Sequence, residues 1–190
     1  MRQPSSAIVD FISSWEGYEP HWYLDGGGVK TIGYGVTARG LRGAGIDPDD
    51  IDVPLGRSVA KDLLHRLLNE IYAPAVAKSL DVDVLRCEYD ALVSLAYNVG
   101  TAAIARSTLI EKINAGAPEA EIEKQWMRWV HDNGEVVRGL VRRRRAELEW
   151  YIGLPKRARA YGYERVDVSE IQPADPAEIE TLETTDLPYA

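Results

Sequence analysis

The hydrophobic pattern of this chain leaves helical periodicity once, between Tyr23 and Thr37, and that single break limits the folds open to it. Before the break, Ile8, Val9, Phe11, Ile12 and Trp15 recur at helical spacing behind a Ser5 or Ser6 cap, and Gly17 stops the run. Across the break, LDGGGVKTIGYGV combines a glycine turn with β-branched residues and short alternation, the pattern of a small hairpin. A Gly-, Asp- and Pro-rich stretch from Arg39 to Pro54 reads as a loop. From Ser58 onward the pattern is helical again. SVAKDLLHRLLNEIYAPAVAKSL predicts one long amphipathic helix, kinked near Pro74. Further helices are expected from about Val84 to Tyr97 with a stop at Gly100, from Ser107 or Thr108, from Pro118, and from about Leu140 to Ile152. The expected architecture is α+β and mainly helical, with a small β-hairpin lobe and a larger helical lobe flanking a cleft. A single domain over residues 1–155 would hold a β region at about 17–56 and a helical lobe at about 80–153.

Composition narrows the function classes. With 190 residues, 45% hydrophobic and 27% charged, the chain can bury one sizeable core, which excludes global disorder, collagen-like repeats and disulfide scaffolds. Its one cysteine, Cys87, has no internal partner, which suits synthesis in a reducing cytosol. No stretch approaches the ~20 apolar residues of a membrane span, and the N-terminus lacks the apolar run of a signal peptide. The formal charge of −8 is concentrated at one end, because residues 166–190 carry seven acids and no Lys or Arg. Residues 156–190 therefore read as an acidic, flexible tail. One expectation is that the tail folds over a cationic cleft edge and restrains activity. The near-neutral body argues against a nucleic-acid partner. His21, His65 and His131 lack ligand spacing, so no metal site is expected. Gly33-Tyr-Gly-Val-Thr-Ala38 matches a dinucleotide-binding pattern in form only, since no helix is expected to follow it.

Three polar residues stand in the order that sugar-bond chemistry needs. Glu16 continues the apolar stripe of Ile8, Val9 and Ile12, and a carboxyl at the end of an inward face is desolvated, which favours its neutral, proton-donating form. Asp25 sits at the mouth of the Gly26–Gly28 turn, where a solvated carboxylate stays ionised. Thr31 on the returning strand offers a hydroxyl as donor and acceptor. Two carboxyls in contrasting surroundings suit cleavage of a glycosidic bond. Tyr97 and Asn98, just before the Gly100 stop, are candidates to line a sugar-binding groove.

The order and spacing of EGYEPHWYLDGGGVKTIGYG, from Glu16 to Gly35, resemble the signature of the phage lysozymes or endolysins, glycoside hydrolase family 24. The resemblance continues in ALVSLAYNVG at residues 91–100, in Ser107-Thr-Leu, and in the run from Trp129 through GLVRRRRAE to Glu147. It implies a lysozyme-like fold and a muramidase that cuts peptidoglycan, with Glu16, Asp25 and Thr31 as the catalytic triad and no metal or cofactor. It implies an inverting course, with carboxyls roughly 6.5–9.5 Å apart. A lytic transglycosylase needs no water-positioning carboxylate, so Asp25 and Thr31 argue against one. A silent cell-wall-binding or virion module is the alternative of another class. Many members carry a His directly after GYG, where this chain has Val36, and Asn133-Gly134 stands in place of a Gly pair.

The basic run 142–145 acquires a role in this setting. Helical projection puts Arg144 among Leu140, Val141, Leu148 and Tyr151, while Arg143 flanks Glu147 one turn on. An arginine on an apolar face needs an anionic partner. The expectation is that Arg144, with Arg143 as second choice, reaches the cleft, pairs with Glu16 and tunes its acidity. The remaining expectations concern setting: a monomer made in the host cytoplasm, with no stable membrane insertion, that reaches the wall through holin-dependent release or inside a virion.

Overall fold

The computed structural model describes residues 4–156. The acidic tail expected at 156–190 lies, beyond Lys156, outside the described residues. Helix α1 (Ser6–Trp15) leads into strands β1 (Glu19–Leu24), β2 (Lys30–Gly33) and β3 (Val36–Thr37), which form an antiparallel sheet in that order. Tyr23 pairs with Thr31 and Leu24 with Lys30, and a bulge interrupts the ladder between Glu19 and Tyr23. The Arg39–Pro54 stretch departs from the expected loop. It holds helix α2 (Ala38–Gly43) and a 3-10 turn, Pro48–Asp50. Thr37 nucleates α2, its side chain accepting from the Gly40 amide as an N-cap.

The long helix around Pro74 is present and its distortion has a definite form. Helix α3 (Arg57–Leu67) passes through a π-helical turn, Leu68–Tyr72, into α4 (Ala73–Ser79). The Ala73 amide donates to Leu68, a wider loop that falls immediately before the residue lacking an N–H. Helix α5 (Arg86–Val99) follows, then α6 (Thr101–Ala105), α7 (Thr108–Asn114) and α8 (Glu119–Trp126). A two-residue hairpin, β4 (His131–Asp132) and β5 (Glu135–Val136), turns on Asn133 and Gly134, both at positive φ, 51° and 84°. Helix α9 (Arg138–Leu148) ends in a second π turn, Glu149–Gly153.

Helix α5 is the axis of the core. Cys87 and every residue from Tyr89 to Ala96 are buried, so it is enclosed on all faces by α1, α4, α6, α9 and the closing π turn. Its two buried polar groups each serve another element. Asp90 accepts the Ser5 amide and hydroxyl, tying the start of α1 to the core, and Ser94 donates to Glu147 on α9. The core thus fixes the far end of α1, where Glu16 emerges, relative to α5 and α9.

Candidate active site

Glu16 is the first residue past α1. Its backbone is extended (φ −94°, ψ 138°) while its amide still bonds to Ile12, so the helix aims the side chain without containing it. That side chain is 22% exposed. Arg143 Nη1 donates to Glu16 Oε1 at 2.6 Å, from a side chain only 5% exposed. On the other side, a Cβ built on Gly35 would lie 3.3 Å from Glu16 Oε2 and 3.3 Å from the Tyr97 hydroxyl. Gly35 has φ +77°, so the turn after β2 both needs glycine and uses its bareness to approach the carboxyl. The Tyr97 hydroxyl donates to the Tyr34 carbonyl at 2.7 Å, holding α5 to this turn.

The hairpin supplies the other two groups. Asp25 Oδ1 accepts the amides of Gly27 and Val29, each at 2.9 Å, and both bonds fall on one oxygen. The Asp25 amide donates in turn to the Val29 carbonyl at 3.0 Å, and the Thr31 hydroxyl donates to that same carbonyl at 3.0 Å. The Val29 peptide therefore ties Asp25 and Thr31 into one unit. Because the Thr31 proton is committed to Val29, its oxygen faces other partners as an acceptor. Thr31 is 2% exposed, whereas Asp25 is half-buried at the turn.

Tyrosines frame the carboxyls. Tyr23 pairs with Thr31 across the sheet, and its phenol is raised above its ordinary value by burial, then by the negative fields of Asp25, Glu19 and Glu16. Burial followed by the Glu16 field likewise raises Tyr72, and the same two causes push Tyr97 well above the phenol range. All three are neutral at physiological pH, and Tyr23 feels the charge of both proposed catalytic carboxyls.

The second choice of the two arginines is the one that reaches Glu16. Arg144 is fully buried, as its place on the apolar stripe demands, but its partner is Glu147 on its own helix and not Glu16. Arg144 Nη2 donates to Glu147 Oε1 at 3.0 Å, and Nε makes a charge contact with Oε2 at 2.8 Å. Burial lowers the proton affinity of Arg144 and the Glu147 carboxylate opposes that. Arg143, 100° round the helix, faces the cleft and takes Glu16. Projection found the buried face correctly but could not see that a carboxylate three residues on satisfies it. Glu147 was legible as an i,i+4 neighbour of Arg143 and as the end of the GLVRRRRAE block; its burial at 0% exposure and its bonds from Ser94 (2.8 Å) and Trp126 (3.1 Å) come from packing. Asn98 is exposed and lines a cavity of about 520 Å³ with Arg128, Trp129, His131, Asp132 and Leu140. None of the three catalytic candidates lines that cavity.

A family model described as phage lysozyme matches residues 13–147. The endolysin of Bacillus phage B103 is 34% identical over 148 residues, 78% of this chain and 53% of that protein. The SAR-endolysin of Enterobacteria phage P21 is 34% identical over 131 residues, covering 67% of this chain and 71% of its own. Among solved structures, the endolysin from Escherichia coli O157:H7 phage FAHEc1 aligns with a TM-score of 0.66 at 32% identity, over 80% of this chain and 94% of that one. The muramidase domain of SpmX from Asticaccaulis excentricus aligns with a TM-score of 0.67 at 25% identity, over 80% and 99%. The chain spans little more than half the length of the two Bacillus phage endolysins it matches, 53% and 57%. With Glu16, Asp25 and Thr31 all inside the matched span and the same fold around them, the chain belongs to the phage lysozyme family.

Proposed function

We propose that the protein is a muramidase that hydrolyses the β-1,4 bond between N-acetylmuramic acid and N-acetylglucosamine in peptidoglycan, with inversion at the anomeric carbon, and so lyses bacterial cells. One arrangement carries the reading: a half-buried Glu16 at the end of α1, with Asp25 and Thr31 joined through one peptide on the neighbouring hairpin. Family membership and the muramidase among its structural neighbours support it. In this mechanism Glu16 gives its proton to the glycosidic oxygen as the carbon–oxygen bond breaks. Asp25, through the oxygen that Gly27 and Val29 leave unbonded, stabilises positive charge at the anomeric carbon and receives a proton from the attacking water. Thr31, limited to accepting, orients that water. The water oxygen forms the new bond to carbon, and exchange with solvent returns both carboxyls to their starting states. Tyr97, whose hydroxyl is engaged with Tyr34, and the exposed amide of Asn98 contribute to sugar binding beside the cleft.

The same reading has the chain act as a monomer without cofactor, reaching the wall by holin-dependent release or as part of a virion, with no stable membrane insertion. Among the described residues no helix is long and apolar enough to cross a membrane. The test is clearing of a peptidoglycan suspension by the wild type and by Glu16→Gln. Losing the general acid costs about 10²–10⁴ in rate. A wild type that clears no wall, or a Glu16→Gln variant as fast as its parent, contradicts the proposal.

A further inference from the structure

The Arg143 guanidinium meets Glu16 with one prong. Its Nη1 donates to Glu16 Oε1, its Nε is 3.4 Å from Glu147 Oε1, and its Nη2 is buried without a hydrogen-bond partner. An arginine free to choose grips a carboxylate with two parallel N–H bonds, which is the stronger and more charge-stabilising geometry. Here the second prong is withheld. The carboxylate beside its Nε is Glu147, fully buried and bonded by Ser94, Trp126 and Arg144.

We propose that Glu147 is a positioning residue for Glu16: by holding the Arg143 side chain at Nε it restricts that arginine to a single hydrogen bond on Glu16 Oε1 and leaves Oε2 free to carry the catalytic proton. The inference rests on the reading of Glu16 as general acid. Oε2 is the oxygen that a Cβ on Gly35 would meet, as it would the Tyr97 hydroxyl, whereas the arginine bond is to Oε1. A two-pronged grip would occupy both oxygens and favour the ionised carboxylate, the wrong form for donating a proton. Among the described residues, the charged and titratable groups at Glu16 include Arg143 and Arg144 from α9, Tyr97 from α5, Tyr72 from the first π turn, Tyr23 from β1 and, on the hairpin, Asp25, whose field Tyr23 shares with that of Glu16. The three phenols are raised and stay neutral, and Asp25 is unchanged by substitution at Glu147, so a change at Glu147 reaches Glu16 through the arginines.

Replacing Glu147 by Gln weakens the hold on Nε, because the acceptor loses its negative charge and the bond keeps only the charge of the arginine. Arg143 then closes on Glu16. Two readings follow the change: the pH dependence of wall hydrolysis, and the titration of the Glu16 carboxyl followed by carbon NMR. In Glu147→Gln the alkaline limb of the rate profile and the Glu16 titration both move to lower pH, so activity above the limb falls. Glu147→Gln leaves Arg144 buried without its charge partner, so the companion Arg144→Met/Glu147→Gln removes one charge of each sign and keeps the core balanced. It shifts both readings in the same direction. A folded double variant whose melting point changes while both pH readings stay in place makes Glu147 purely structural and overturns the proposal. A wild type without wall hydrolysis defeats the muramidase reading instead, and the NMR titration still decides whether Glu147 acts on Glu16.

Discussion

At the residue scale, the catalytic candidates were legible because their chemistry is local. Glu16, Asp25 and Thr31 are close in sequence, and the turn between the last two is written in Gly26–Gly28. What sequence could not supply is the approach of Gly35, whose bare Cα lets Glu16 Oε2 and Tyr97 come close from two other elements. Gly35→Ala tests that approach. A Cβ there is strained by φ +77° and meets atoms at 3.3 Å, so stability should fall by about 1–2 kcal/mol and wall hydrolysis should fall with it. Denaturant unfolding and a clearing assay on the same preparation check both effects. Cys87 gives a second test. It is 1% exposed, and burial raises its thiol from 9.0 to about 12. A raised folded-state value means that its contribution to stability is intact below pH 9.0 and is lost as pH climbs toward 12. Between pH 9 and 10 Cys87 should lower stability by up to about 1.4 kcal/mol per unit, and the tyrosines raised above 10.0 add to the fall as pH nears 10. Cys87→Ala should flatten that slope, and native Cys87 should resist a thiol reagent at pH 8. Rapid labelling of the folded protein would contradict the burial argument.

At the element scale, long periodic segments were readable and short ones were not. The Pro74 distortion, the Gly100 stop and the Ser107 start follow from single residues with strong local preferences. Helix α2 was missed because Gly40 and Gly43 lie within six residues that have no sustained stripe; its signal was the Thr37 cap. Serines ahead of helices divide by partner, which sequence does not show. Ser107 caps α7, accepting from the Ile110 amide at 3.2 Å, whereas Ser5 makes no cap and donates to Asp90. Ser107→Ala should therefore cost about 1 kcal/mol, the worth of an N-cap, measured by urea unfolding. A neutral result would mean that α7 is held by packing alone.

At the scale of the whole molecule, the site depends on buried charge that ties α9 to α5 and α8. Glu147 gathers Ser94, Trp126, Arg143 and Arg144, and only Arg143 extends from it to the cleft. The sequence showed that Arg144 must be buried and paired, but its partner depended on which carboxylate the packed helices enclose. Breaking such a pair on one side is costly. Arg144→Met should destabilise the protein by about 3–5 kcal/mol in chemical denaturation, far more than a substitution at the exposed Lys61–Asp10 pair.

The central claim is that Glu16 donates a proton while water, oriented by Asp25 and Thr31, attacks from the opposite face. Proton NMR of a soluble peptidoglycan fragment during the first turnovers reads that event directly, because the configuration of the new muramic acid reducing end is visible before it equilibrates. The account predicts an initial α-anomer that disappears in Glu16→Gln. An initial β-anomer, or a 1,6-anhydro end in place of a reducing sugar, would contradict it.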